Sequence, residues 1–193
     1  MDAPGMGKRS AWMKIAAAVT SGLLVAGLFP PYHFAALVWV ALVPLLWALW
    51  SVDGKRAGLK GFAIGWLAGA VSGWVQFSWL NVVSPLGAAV LPMYLAIYWG
   101  LFGSFATTLG NPWKPGGTGS LRTAFFNAAV WAGLEWLRGW LFTGFGWNSL
   151  GVAFQETQLV AQSADVLGLT GLSMLPVFFQ CVWVQEGERL LHG

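Results

Sequence analysis

Six long hydrophobic runs, separated by short polar or proline- and glycine-rich links, make up most of the 193-residue sequence. A helix that crosses a membrane needs about 20 mostly apolar residues, and each run approaches that length. The pattern therefore predicts an all-α integral membrane protein, with one membrane domain (1–193) formed by a bundle of about six transmembrane helices. The predicted helices are 12–28, 34–50, 61–80, 89–109, 121–142 and 163–184.

Composition agrees with that pattern and excludes several classes of function. Hydrophobic residues make up 57% of the chain and charged residues only 9%, whereas soluble domains carry about 25% charged residues. The net charge of +3 is too small to predict a nucleic-acid partner. A lone cysteine, Cys181, excludes an internal disulfide and a cysteine-built metal site. No metal-ligand cluster, nucleotide motif or redox pair is present in the sequence, so we expect no metal and no cofactor.

Basic residues predict the orientation of the bundle. Nearly all of them fall at or before the start of the first run, in or beside alternate links, or after the last run: Lys8, Arg9, Lys14, Lys55, Arg56, Lys60, Lys114, Arg122 and Arg189. Positively charged links stay on the cytoplasmic side of a membrane. We therefore expect both termini in the cytoplasm, and the links near Pro30, Asn81 and Gly144 on the outside.

Small residues predict one close helix contact. Four glycines recur at every fourth position of the third run, at Gly61, Gly65, Gly69 and Gly73. This spacing puts them on one helix face and lets a neighbouring helix approach closely. Ala18, Gly22 and Ala26 repeat the spacing in the first run, which makes that run the expected partner. Pro44 is expected to kink the second helix.

Two charged residues lie deep inside the fifth run, Glu135 and Arg138, whereas Arg122 lies at its start. Each costs roughly 2.5–3.5 kcal/mol at the centre of a membrane, so something must compensate them. Two interpretations stay open. The residues form an ion pair across one helical turn that locks the helix in place. Alternatively, the Arg138 guanidinium holds the phosphate of a phospholipid at the level of the outer headgroups.

The turn after this run, 143–148, is rich in glycine and aromatic residues. It is either an interfacial anchor or a loop that contacts a catalytic domain or a substrate. We expect Asn148 to bond to backbone groups of the turn. Several tryptophans near predicted helix ends are typical of an interfacial belt: Trp12, Trp50, Trp79, Trp113, Trp140 and Trp147. A lipid groove lined by Trp136, Trp140 and Trp147 is a further possibility. The candidates for lipid or interface binding are therefore Glu135, Arg138, Trp140, Trp147 and Asn148, and we assign no catalytic residue.

Two motifs resemble a known family. They are Phe29-Pro30-Pro31-Tyr32, and Glu135-Trp136-Leu137-Arg138-Gly139 continuing into Thr143-Gly144-Phe145-Gly146-Trp147-Asn148. Together they resemble the membrane part of the apolipoprotein N-acyltransferases of Gram-negative bacteria, which often have proline at the position of Gly146. The resemblance extends to Gln162, Ala164, Gly168, Gly171 and Ser173. It implies a multi-pass protein of the bacterial inner membrane.

The resemblance also implies a chemistry. In the full family, a cysteine thiolate takes an acyl chain from a phospholipid donor, and the thioester then acylates the N-terminal cysteine of a lipoprotein acceptor. A nitrilase-like domain with a Glu-Lys-Cys triad performs these steps, and no residue here matches that triad. Cys181 is expected to be a buried packing residue.

The chain is therefore expected to be a fragment, a truncated paralogue, or half of a split protein whose partner is a separate nitrilase-like domain, and to be inactive alone. The alternative is a non-catalytic membrane bundle that binds phospholipid or a partner protein. A transporter is a weaker alternative, because few polar residues lie at mid-membrane depth.

Overall fold

A computed structural model describes residues 10–114 and 120–192. In that part of the chain all regular structure is helical, as the sequence predicts. The α-helices are α1 (Ala11–Ala26), α2 (Val43–Trp50), α3 (Ala57–Gln76), α4 (Pro85–Thr108), α5 (Ser120–Arg138), α6 (Gln158–Ala161) and α7 (Ala164–His192). Short 3-10 segments lie between them at Ala35–Trp39, Ser78–Val82, Leu141–Thr143 and Leu150–Phe154.

Two of the described helices are long and apolar enough to cross a membrane. They are α4 and residues 164–191 of α7. The apolar stretches Ala11–Ala26 and Ala35–Trp50 are shorter, at 10–17 residues. The all-helical architecture is therefore confirmed for the described residues, and a bundle of six membrane-spanning helices stays a prediction.

The second predicted helix is not continuous. Its first part is the 3-10 segment Ala35–Trp39, and α2 begins only at Val43. Pro44 lies in the first turn of α2, where its missing N–H costs nothing, so the expected kink at Pro44 is wrong. The buried Gln180 side chain of α7 donates to the Val38 carbonyl (3.0 Å) and accepts from the Leu42 N–H (2.5 Å). Because buried backbone groups need partners, Gln180 stabilises the break.

Several other helix ends differ from the prediction; α3 ends at Gln76 instead of residue 80, and α4 begins at Pro85 instead of residue 89. α3 begins four residues early, at Ala57, and α5 ends at Arg138 instead of residue 142. α7 continues to His192, so the tail after residue 184 is helical. Gly168 interrupts α7 near its start with a left-handed φ of 65°, which glycine adopts without a steric penalty.

The glycine face of α3 packs on α4. A Cβ on Gly61 would collide with the Gly103 carbonyl, and a Cβ on Gly65 would collide with the Trp99 carbonyl. The predicted pairing of this face with the first helix is therefore wrong. Helix α1 packs on a different face of α3, where a Cβ on Gly22 would lie 2.6 Å from the Ala68 carbonyl oxygen.

One end of the bundle gathers the basic links, and we call it the Lys55 end. There the Lys14 ammonium donates to the Ser51 carbonyl (2.8 Å), and the Asn111 amide donates to the Trp50 carbonyl (3.0 Å). These bonds join the start of α1, the link after α2 and the link after α4. The three links that the sequence predicts on one side therefore lie together.

Trp50 does not belong to an interfacial belt. It is only 1% exposed, and its ring packs edge-on against Trp113 at 5.2 Å. Trp12, in contrast, is 78% exposed. Lys8 and Arg9, which also support the predicted orientation, lie outside the described residues.

Candidate functional site

The opposite end of the bundle carries the candidate residues, and we call it the Trp147 end. Its main feature is the segment 139–149, here called the aromatic loop, which follows α5 directly. The loop turns back on the helix, because the Phe145 N–H donates to the Arg138 carbonyl (2.8 Å). Gly144 has a φ of 77°, and a Cβ there would collide with the Gly139 carbonyl. This turn therefore requires glycine at position 144.

Arg138 fastens the aromatic loop to the end of α5. Its side chain is only 8% exposed. One guanidinium nitrogen, Nη2, donates to the Trp147 carbonyl (3.0 Å) and to the Ser149 hydroxyl (3.4 Å). A cation is also favourable in the last turn of a helix, where carbonyl groups point outward. The buried charge is thus compensated mainly by the loop.

Glu135 holds the residue that directly follows the aromatic loop. Its Oε1 accepts from the Leu150 N–H at 3.0 Å. The direct ion pair between Glu135 and Arg138, one of the two interpretations that the sequence left open, is not formed, since Arg138 bonds to the loop and Glu135 to Leu150. Among the described residues, Glu135 Oε2 and Arg138 Nε are buried without a hydrogen-bond partner. The two charges are therefore held close by a shared loop and not by contact with each other.

Asn148 joins the loop to α3. Its Nδ2 donates to Gln76 Oε1 (2.7 Å), and Gln76 Nε2 donates to the Ser72 hydroxyl (2.6 Å). The expectation that Asn148 bonds to the backbone of its own turn is therefore wrong. Asn148 has a φ of 54°, a left-handed conformation that asparagine tolerates better than most residues.

The aromatic side chains fall into two separate groups. Trp147 stacks on Trp79 with ring centroids 5.8 Å apart, while Trp136 packs edge-on against Trp140 at 5.3 Å. Trp136, Trp140 and Trp147 are each 55–58% exposed. The three tryptophans therefore do not line one shared lipid groove in this structure.

Two cavities lie beside candidate residues. A cleft of about 330 Å³ lies between the end of α5, the aromatic loop and α7, and its lining includes Glu135, Trp136, Trp140, Ser149 and Thr170. A cavity of about 20 Å³ inside the bundle is lined by Gln76, Glu135, Arg138 and Asn148, among others. The larger cleft has the volume of a small-molecule site. Of the charged candidates, only Glu135 lines it.

Sequence comparison identifies the family. Residues 21–182 match the model of the apolipoprotein N-acyltransferase N-terminal domain. The chain belongs to this family.

Three similar proteins, each named apolipoprotein N-acyltransferase, illustrate the relationship. The one from Rhizobium rhizogenes is 34% identical over 181 residues, which cover 83% of this chain and 32% of that protein. The one from Allorhizobium ampelinum is 35% identical, covering 86% of this chain and 34% of that protein. The one from Geobacter metallireducens is 32% identical, covering 82% and 30%. The chain thus spans about a third of the length of the curated relatives it matches.

The part of the chain that matches the family model, residues 21–182, contains all five candidate residues. Sequence reasoning missed three residues that fasten the site and the fold: Gln76, Ser149 and Gln180. A signal for two of them was present, because an amide inside an apolar run needs a hydrogen-bond partner. The sequence alone does not indicate which partner that is.

Proposed function

We propose that this chain is the membrane domain of an apolipoprotein N-acyltransferase in a bacterial inner membrane. The whole enzyme would move an acyl chain from a phospholipid to the amino group of a lipoprotein N-terminal cysteine. The observation that carries this proposal is the family match over residues 21–182. The loop fastened by Glu135 and Arg138 lies within that range and gives the match a defined structural feature.

The proposal includes an orientation in the membrane. The six spanning segments would be α1, residues 35–50, α3, α4, α5 and α7, with the Lys55 end in the cytoplasm and the Trp147 end outside. The convergence of the basic links near Lys14, Ser51 and Asn111 supports this orientation. At the Trp147 end the charge of Arg138 is buried and bonded to the loop.

In this proposal the cleft beside the aromatic loop receives part of the phospholipid. Its lining combines the apolar residues Trp136, Trp140 and Leu169 with the polar residues Glu135, Ser149 and Thr170. Among the described residues, no Arg or Lys lines the cleft, which favours an acyl chain or an ester group over a phosphate. The contacts of Arg138 favour a role in holding the loop over direct phosphate binding.

The catalytic chemistry is assigned to a nitrilase-like domain and not to residues of this chain. Cys181 is fully buried, so its thiol has no access to a lipid ester. The membrane domain would supply lipid access from the side and a surface for the catalytic domain at the Trp147 end.

A photo-crosslinking experiment tests the role of the cleft. The chain is reconstituted in vesicles that contain a phospholipid with a diazirine on its acyl chain, and the labelled peptides are identified by mass spectrometry. We expect labelling at 136–140 and 169–170. Gly146 borders the cleft with open space beside it, so Gly146→Leu should reduce that labelling and Gly146→Ala should change it little.

A matched control adds the same side chain elsewhere. Gly187 has no neighbour within 4 Å of an added Cβ, so Gly187→Leu should leave the labelling at the cleft unchanged. Uniform labelling along all helices, or labelling at 136–140 that Gly146→Leu does not reduce, would contradict the proposed role of the cleft.

A second candidate function is a non-catalytic bundle that binds phospholipid or a partner protein. The cleft itself favours it, because lipid binding there needs no reaction. The two functions differ in one measurement. The residue equivalent to Gly146 is replaced by leucine in a full-length relative, and acyl transfer is measured. Transfer is lost if the chain acts as an acyltransferase domain, and it is retained if the chain is a non-catalytic bundle.

A further inference from the structure

The aromatic loop is held in a conformation that its residues do not favour. Phe142 and Asn148 have φ values of 50° and 54°, in the left-handed region that side chains other than glycine seldom occupy. Such residues persist only where the surrounding structure holds them, and they cluster at functional sites. The conformation of the loop therefore depends on the contacts that surround it, including contacts other than those of Glu135 and Arg138.

A relay of side chains reaches the loop from α3. The buried Ser72 hydroxyl accepts from Gln76 Nε2 (2.6 Å), which leaves Gln76 Oε1 directed at the loop, where it accepts from Asn148 Nδ2 (2.7 Å). Ser72 thus fixes the orientation of the Gln76 amide, and Gln76 in turn fixes Asn148. The relay joins parts of the chain that are 72 residues apart.

Two aromatic contacts flank this relay. Phe145 packs edge-on against Phe77 at 5.3 Å, and Trp147 stacks on Trp79 at 5.8 Å. The end of α3 and the segment after it, residues 76–79, therefore contact three of the four residues from 145 to 148. Arg138 and Glu135 hold the loop from the α5 side, so α3 is a second and independent support.

We propose that Gln76 is a positioning residue. Through Asn148 it keeps the aromatic loop in its left-handed conformation, with Trp147 stacked on Trp79 and with Gly146 and Ser149 in the wall of the 330 Å³ cleft. The inference depends on the proposed function at one point only, namely that the ligand of the cleft is a lipid. The fastening of the loop itself is measured without any lipid substrate.

Hydrogen exchange in the aromatic loop provides the measurement. The Phe145 N–H donates to the Arg138 carbonyl (2.8 Å), so its proton exchanges with solvent only when the loop opens. The exchange rate of residues 144–149 therefore reports how often the loop opens.

We expect Gln76→Leu to raise that rate about fivefold, the factor that corresponds to the net stability of one hydrogen bond. Gln158→Leu is the matched control, because Gln158 is an exposed amide on α6, and it should leave the rate unchanged. Asn148→Gly removes the amide and also relaxes the left-handed residue. If Gln76 acts through Asn148, Gln76→Leu has no further effect in the Asn148→Gly protein.

Three results would overturn the inference. They are an unchanged rate in Gln76→Leu, an equal rise in Gln158→Leu, and an effect of Gln76→Leu that persists in full in the Asn148→Gly protein. The last result would mean that Gln76 supports the helix bundle and not the loop. Loss of lipid labelling without a change in these rates would count against the proposed function alone.

A second variant keeps the test decisive if Gln76→Leu does not fold. Ser72→Ala removes only the hydroxyl that orients Gln76. It should increase hydrogen exchange in residues 144–149 relative to the native chain, while exchange in α4 stays the same. Exchange in 144–149 that does not change would overturn the inference.

Discussion

Replacing Arg138 with methionine tests whether the buried charge holds the aromatic loop. Methionine keeps most of the length of the side chain but removes the guanidinium. The variant loses one short charge-assisted bond to the Trp147 carbonyl (3.0 Å) and one long bond to the Ser149 hydroxyl (3.4 Å). It also leaves the partly buried Glu135 carboxylate without a nearby cation.

The magnitude follows from these contacts. A hydrogen bond to a charged group contributes about 1.5–3 kcal/mol, and removal of the guanidinium also leaves the partly buried Glu135 carboxylate uncompensated. The long bond to Ser149 contributes little, so we expect Arg138→Met to lower the free energy of unfolding by about 3 kcal/mol. In the double variant with Glu135→Gln, the loss should be smaller than the sum of the two single losses.

Equilibrium unfolding in mixed micelles measures these differences, and hydrogen exchange locates them. The matched control is Arg122→Met on the same helix, because Arg122 is exposed and its guanidinium lies over the Phe126 ring, 5.5 Å from the centroid. We expect that control to change stability by less than about 0.5 kcal/mol. A cost for Arg138→Met no larger than the control, or exchange in 144–149 that does not increase, would refute the reasoning.

The remaining predictions use the same unfolding assay unless stated. Gln180→Leu leaves two buried backbone groups unpaired, and we expect a loss of about 3 kcal/mol; a loss below about 1 kcal/mol would contradict its role at the break before α2. Gly65→Ala should cost about 2 kcal/mol because its Cβ would collide with α4. Gly133→Ala, with nothing within 4 Å of the added Cβ, should be neutral or stabilise by up to about 1 kcal/mol. The purified 193-residue chain should form no thioester at Cys181, and mass spectrometry that finds an acylated Cys181 would contradict its assignment as a packing residue.

Hydrophobic run length predicted most of the helices, because burial of apolar side chains and pairing of backbone groups both act over one segment at a time. The break before α2 was not predictable from its own residues. It depends on Gln180, whose amide meets Val38 and Leu42 from a distant part of the chain. The partner of the glycine face of α3 was missed for a related reason, since spacing shows which residues share a face but not which helix lies on it.

The candidate site shows the same limit. Charge inside an apolar run directed attention to Glu135 and Arg138, because such charges need compensation. Their sequence spacing suggested that they compensate each other. In the folded chain α5 ends at Arg138, so the loop returns over both residues and its backbone groups take the place of an ion pair. Asn148 likewise bonds to Gln76 on α3, which its local sequence does not indicate.

Thiol labelling in intact bacteria tests the proposed membrane domain most directly. Single cysteines are introduced as Lys55→Cys and Trp147→Cys, and the buried Cys181 does not interfere. A membrane-impermeant maleimide should label Trp147→Cys in intact cells with a permeable outer membrane, and Lys55→Cys only after the inner membrane is opened. Labelling of both positions from the same compartment would contradict the account.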